Sequence, residues 1–150
     1  MTDLILIYPT QLFNITKYYK NFIINNNKTF FILIEDDYFF NKYKFHKIKL
    51  ILHKSTMEYF YKELIRLNYD VIYIEYQDIN KLEKIIKKLK PQKIKLYDPI
   101  EKELIEKINE YKKYYNIEII KSPMFLNDSY DNHEINNNIN YIKHSTFYKL

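Results

Sequence analysis

Apolar residues fall along this chain in two alternating rhythms. Leu4-Ile5-Leu6-Ile7-Tyr8 and Phe30-Phe31-Ile32-Leu33-Ile34 are unbroken apolar runs, the pattern of strands covered on both faces in a parallel sheet. Val71 to Tyr76, Lys93 to Tyr97 and Ile117 to Ile120 read as three shorter strands. Between the strands, helical spacing predicts helices over Phe45 to Leu67, Ile79 to Leu89 and Pro99 to Tyr115. Asp78 is placed to cap the second. In the third, Pro99 stands in the first turn, where its missing N–H costs nothing, and Glu101 and Glu103 suit a helix N-terminus. Thr10 to Lys28 breaks the rhythm: Tyr18, Tyr19, Phe22, Ile23 and Ile24 make a short helix, ended by Asn25-Asn26-Asn27.

Strand and helix repeated in this way predict right-handed crossovers. The fold class is α/β: a Rossmann-like, doubly wound, parallel five-stranded sheet of order 3-2-1-4-5 in three layers. It occupies residues 1–126. The Asn-rich stretch from Asn127 to Asn140 reads as a linker or a marginal helix through Ile135, Ile139 and Ile142, which sets 127–150 apart. In such sheets ligands bind beyond the carboxyl ends of the strands, where the winding reverses. That brings Tyr8-Pro9-Thr10-Gln11 opposite Tyr97-Asp98-Pro99, with Glu35-Asp36-Asp37 beside them. The candidate ligand-binding residues are therefore Tyr8, Thr10, Gln11, Glu35, Phe39 and Asp98. Glu35 is suited to accept from ring N–H groups, Gln11 to donate and accept, and Tyr8 or Phe39 to stack.

Composition narrows the ligand. The chain has no glycine, so the close backbone approach of G-x-G-x-x-G and G-K-[ST] phosphate sites is excluded, and a planar aromatic ligand suits the crevice better than a polyphosphate. Alanine is missing too and Arg66 is the single arginine. Residues with GC-rich codons are absent together, which points to an AT-rich genome. That weakens the net charge of +5 as a sign of nucleic-acid binding. Much of the basic excess is local, with seven Lys against one Glu from Lys81 to Lys95, a solvated helix face. With no cysteine the chain holds no disulfide, iron–sulfur ligand or thiol nucleophile. His46, Lys49 and His53 share a helix face, but two turns separate the histidines by ~10 Å, too far for one metal. No Ser, His and Asp stand in triad context. There is no signal peptide and no apolar run approaching ~20 residues, so the expectation is a soluble intracellular protein without membrane contact.

Several runs resemble the photolyase and cryptochrome superfamily, in particular photolyase-related proteins of bacterial iron–sulfur type. They are Ile34-Glu35 followed by Phe39-Phe40, then Phe45-His46-Lys47, Lys49-Leu50, His53, Met57 and Tyr61. Ser55-Thr56-Met57 departs from the family's Ser-Met pair. Tyr8-Pro9-Thr10-Gln11-Leu12 and Ser122-Pro123-Met124-Phe125-Leu126 are similar to the turn after the family's first strand and to the end of its α/β domain. Ser145-Thr146-Phe147-Tyr148 is similar to the start of its helical region. The resemblance implies an N-terminal domain that binds an antenna chromophore of lumazine, deazaflavin or folate type. FAD belongs to the helical region and is not expected on this chain alone. Residues 127–150 would then be a linker and the start of a missing helical domain, the chain being either a truncated gene product or one whose catalytic, FAD-binding half is a separate helical chain, with DNA met indirectly and no catalytic residue here. Two other classes stay open: an independent Rossmann-like small-molecule module, and an inactive structural or interaction fragment.

Overall fold

The computed structural model describes residues 1–23, 27–78 and 80–124. Met1–Ile120 makes one compact unit. The expectations for Ile24 to Asn26, Ile79 and everything from Phe125 onward lie outside the described residues.

Five strands make one sheet: β1 (Thr2–Ile7), β2 (Lys28–Ile34), β3 (Asp70–Ile74), β4 (Lys93–Tyr97) and β5 (Ile117–Ile120). Their order is β3-β2-β1-β4-β5 and every pairing is parallel. The fold is the expected Rossmann-like α/β arrangement. β1 and β2 pair from Thr2↔Lys28 to Ile7↔Leu33, which puts their apolar runs at the centre. Alternation then sends Leu4, Leu6 and Tyr8 to one face and Ile5 and Ile7 to the other.

The first face is covered by three helices: α1 (Asp37–Phe40), α3 (Lys81–Leu89) and α4 (Lys102–Tyr111), which bury Phe39, Leu82, Ile86, Leu104 and Ile108. The second is covered by α2 (Lys47–Arg66), through Met57, Phe60 and Leu64, and by the connection from β1 to β2. That connection is a π-turn at Ile15–Tyr19 running into a 3₁₀ turn at Lys20–Phe22, so the short helix expected from Tyr18 onward starts earlier, at Ile15, and is not α-helical. Asn14 opens it by accepting from the Lys17 N–H at 2.9 Å. Its fully buried Tyr19 ring meets Phe22, Phe31, Phe60 and Tyr97 at centroid distances of 5.3–6.1 Å, so aromatic packing takes the place of helical length.

Helix starts depart from expectation in three places. α2 begins at Lys47 because His46 is extended and its Nδ1 accepts from the Ile48 N–H at 3.3 Å. α3 starts from Asn80, and Asp78 lies in a 3₁₀ turn (Tyr76–Asp78) with its carboxylate on Lys81 Nζ at 2.5 Å. Pro99 precedes α4 by three residues and Glu101 occupies the N-cap position. The short helix α1 was not expected at all. Asp36 caps it, accepting from the Tyr38 N–H at 3.0 Å.

Candidate functional site

β1 and β4 pair only from Asp3↔Lys93 to Ile5↔Lys95. Beyond that point the strands part, as the change in winding direction requires. Gln11 fills the gap. Its Nε2 donates to the Tyr97 carbonyl at 2.8 Å and its Oε1 accepts from the Tyr8 N–H at 3.4 Å, while its own carbonyl accepts from the Tyr19 hydroxyl at 2.5 Å. Gln11 is 2% exposed, so the amide is part of the sheet's closure.

Glu35 is likewise enclosed, with a fully buried side chain. Its Oε1 accepts from Lys54 Nζ at 2.8 Å and from the Tyr73 hydroxyl, and its Oε2 from the Tyr76 N–H at 3.3 Å. A buried carboxylate needs such partners, because unpaired it would carry the whole desolvation cost. The network ties α2 to the ends of β2 and β3. Lys54 is held protonated above the ordinary lysine range: burial opposes this, and its bonds to Glu35 and Glu75 outweigh it. Burial, then the bond to Glu35, pushes the Tyr73 phenol far up.

Of the other candidates, Phe39 and Tyr8 are core residues on the first face. Thr10 is half-buried and Asp98 exposed, the latter's N–H extending the β4–β5 pairing to Ile120 O at 2.7 Å. The six thus stand around the carboxyl ends of the strands, with the side chains of four turned inward and two at the rim.

A hollow beside this point was missed from sequence. It is a cleft of about 660 Å³ between the Pro9–Ile15 segment and α2, on the second face and beyond the carboxyl end of β1. Leu12, Phe13, Leu52, Tyr59 and Phe60 make its walls apolar and aromatic. Its volume lies within the ~300–1,000 Å³ range of small-molecule sites. Most polar groups in it are already engaged. The Ser55 and Thr56 hydroxyls donate back to the Leu52 carbonyl at 3.1 and 2.8 Å, Asn14 caps the π-turn, and Glu63 pairs with Arg66 at 2.8 Å. His53 differs. Its ring sits against Phe39 and Phe40, and its nitrogens have no hydrogen-bond partner among the described residues. Burial, then the charge of Lys49, holds His53 below the ordinary histidine range, so at neutral pH it offers one donor and one acceptor. The exposed Ile48, Ile51, Leu52 and Tyr59 would have signalled this face, since an α-helix buried on one side does not place apolar residues on the other.

The basic stretch is offset in part by neighbours. Lys81 pairs with Asp78, Lys87 with Glu83 at 2.6 Å and Lys93 with Glu118 at 3.2 Å, and Lys95 is buried with Nζ on the Phe22 carbonyl at 2.8 Å. Among the described residues no His/Asp/Glu group of metal-binding size occurs, and no helix is long and apolar enough to cross a membrane.

With the sheet order and its crevice in place, residues 5–150 match the family model of the deoxyribodipyrimidine photo-lyase-related proteins. The chain belongs to this photolyase-related family. A viral relative, the uncharacterized protein R852 of Acanthamoeba polyphaga mimivirus, is 31% identical over 134 residues, 84% of this chain and 67% of that protein. For a photolyase-related chain, Gln11 and Glu35 fall where the sequence resemblance puts them, at the ends of β1 and β2. There they act as internal ties.

Proposed function

We propose that this photolyase-related chain is the antenna-holding α/β domain of a light-dependent DNA repair system, and that the 660 Å³ cleft beyond β1 takes a planar heteroaromatic chromophore of lumazine, deazaflavin or folate type. The observation that carries this is the cleft's lining: aromatic walls from Phe13 and Tyr59, with the His53 ring and the Tyr59 hydroxyl as polar groups that have no hydrogen-bond partner among the described residues. Stacking supplies affinity without sequence-specific contacts, and the neutral imidazole fixes orientation by bonding a ring carbonyl or ring N–H. Gln11 ties the turn that carries the Pro9–Ile15 wall to β4, and Glu35 ties α2, the other wall, to the strands. The chemistry of repair needs a reduced flavin as electron donor. In this reading it comes from a separate helical FAD-binding chain, through which DNA is reached.

The test is fluorescence titration of the folded protein with one chromophore of each class, repeated with His53→Ala and Tyr59→Ala. Tyr59 is 68% exposed, so its truncation leaves the fold intact. Each change is expected to weaken binding about five- to hundred-fold, the equivalent of ~1–3 kcal/mol. No binding to any class, or binding unaltered by both changes, would overturn the reading.

A further inference from the structure

On the opposite face of the sheet, a second hollow of about 260 Å³ opens between the ends of β1 and β2 and the helices α3 and α4. It adjoins a smaller one of about 200 Å³, and Asp36, Asp37 and Lys107 line both. Asp36 is buried, and its Oδ2 accepts from Lys107 Nζ at 2.6 Å. This corner thus already seats one alkylammonium on a buried carboxylate.

Two groups beside that pair are unused. Tyr8 is 1% exposed and lines the hollow, yet its hydroxyl has no hydrogen-bond partner among the described residues. The hydroxyl oxygen is not sealed from solvent, so it faces the hollow as a donor and acceptor that a ligand can meet. Burial first, then the neighbouring Asp36 charge, keeps Tyr8 neutral, able to donate and accept. Asp37 is the second. Glu83 is taken by Lys87 at 2.6 Å, Glu103 by Lys42 and Asp36 by Lys107, which leaves Asp37 as the lining carboxylate without an ion-pair partner among the described residues. The local balance is one negative charge, with the rings of Tyr8 and Tyr111 in the walls. Anions and polyphosphates are repelled by such a lining; a cation gains from the carboxylate and from the ring faces alike.

We propose that this hollow binds a small aliphatic primary amine, its ammonium seated between the Asp37 carboxylate and the Tyr8 hydroxyl and its alkyl chain against Tyr111. The site lies across the sheet from the chromophore cleft and stands independently of it.

Butylamine is the probe and butanol its uncharged counterpart, each titrated into the whole protein by calorimetry and by ligand-observed NMR saturation transfer. Butylamine is expected to bind saturably and to weaken with salt, and butanol at least about tenfold less tightly, the loss of one charge-assisted contact. Asp37→Asn is expected to cost about tenfold, and Tyr8→Phe about fivefold. Asp37 is half-exposed, so its variant folds even if the Tyr8 variant does not. Absence of saturable binding, equal binding of butanol, or unchanged affinity in Asp37→Asn would overturn the proposal.

Discussion

The enclosed Glu35 network allows its partners to be weighed one at a time. Tyr73→Phe removes one donor from a charged acceptor and nothing else of size, because the ring and its edge contact with Tyr61 at 5.6 Å are kept. A hydrogen bond to a charged group is worth ~1.5–3 kcal/mol, and one to a neutral group ~0.5–1.5 kcal/mol. The same substitution should therefore cost about 2 kcal/mol in the natural chain and about 1 kcal/mol in a Glu35→Gln background. Lys54→Met keeps the apolar stem and removes the ammonium from both Glu35 and Glu75. Breaking a fully buried pair costs ~3–5 kcal/mol and an exposed one ~0–1 kcal/mol. Glu35 is fully buried while the Lys54 side chain is 36% exposed, which places this change at about 2–3 kcal/mol. Equilibrium urea unfolding followed by circular dichroism is the assay. With a slope of ~1–3 kcal/mol per molar urea, a loss of ~2 kcal/mol moves the midpoint by roughly 1 M at constant slope. If Tyr73→Phe falls within ~0.5 kcal/mol of the natural chain, as an ordinary surface change would, or costs as much in the Glu35→Gln background as in the natural chain, the Tyr73 hydroxyl does not support the buried carboxylate; a Lys54→Met change that small would refute the tie of α2 to Glu35.

Other outcomes follow from single residues. Lys90 ends α3 with φ of 43° and ψ of 60°, a left-handed position that costs a residue with a Cβ about 1 kcal/mol; Lys90→Gly should raise unfolding free energy by about that amount, and a loss instead would refute the strain. His53 has its pKa lowered, so the folded state binds its proton less well than the unfolded chain. Stability is then complete above the ordinary value of about 6.5 and falls as pH drops through it toward the lowered value, a slope His53→Gln should flatten in urea titrations. Tyr8, Tyr19 and Tyr73 are pushed well up by burial and Tyr97 to about 12. With raised values the sign reverses: stability holds below pH ~10 and falls above it. Tyrosinate absorbance should therefore show a late step that coincides with loss of circular dichroism, and early ionisation of all tyrosines in a folded chain would count against it.

The sheet was legible because its strands are spelled by apolar runs alone. Leu4 to Tyr8 and Phe30 to Ile34 can satisfy two covered faces in no other common way, and strand–helix alternation then leaves few topologies. Helix termini were less legible, since they depend on which side chain reaches a backbone N–H. His46 and Asp36 do so, at 3.3 and 3.0 Å, whereas Asp78 is drawn instead to Lys81. The β1–β2 connection misled for a different reason: Tyr19 and Phe22 carry helical spacing, but their packing on Phe31, Phe60 and Tyr97 is a tertiary fact.

The same distinction explains the site. Sheet order places the turn with Gln11 and the end of β4 with Asp98 where the winding reverses, and Glu35 beside them at the end of β2. What order cannot reveal is whether a polar side chain at that point faces a ligand or its own backbone. In glycine-bearing folds of this class the turn after the first strand approaches the ligand directly through backbone N–H groups. With no glycine in the chain, that turn is built from Pro9, Thr10 and Gln11, and the Gln11 amide bonds the parting strands that would otherwise leave the Tyr8 N–H and Tyr97 carbonyl open. Closing the centre displaces the open volume sideways, toward α2 on one face and toward Asp37 and Tyr8 on the other. Both hollows therefore follow from one local cause. Gln11→Ala should reopen the centre by freeing those two backbone groups, at a cost of ~1–3 kcal/mol in stability read by urea unfolding; a loss below ~0.5 kcal/mol, as for an ordinary surface change, would refute the role of the amide as the tie between β1 and β4.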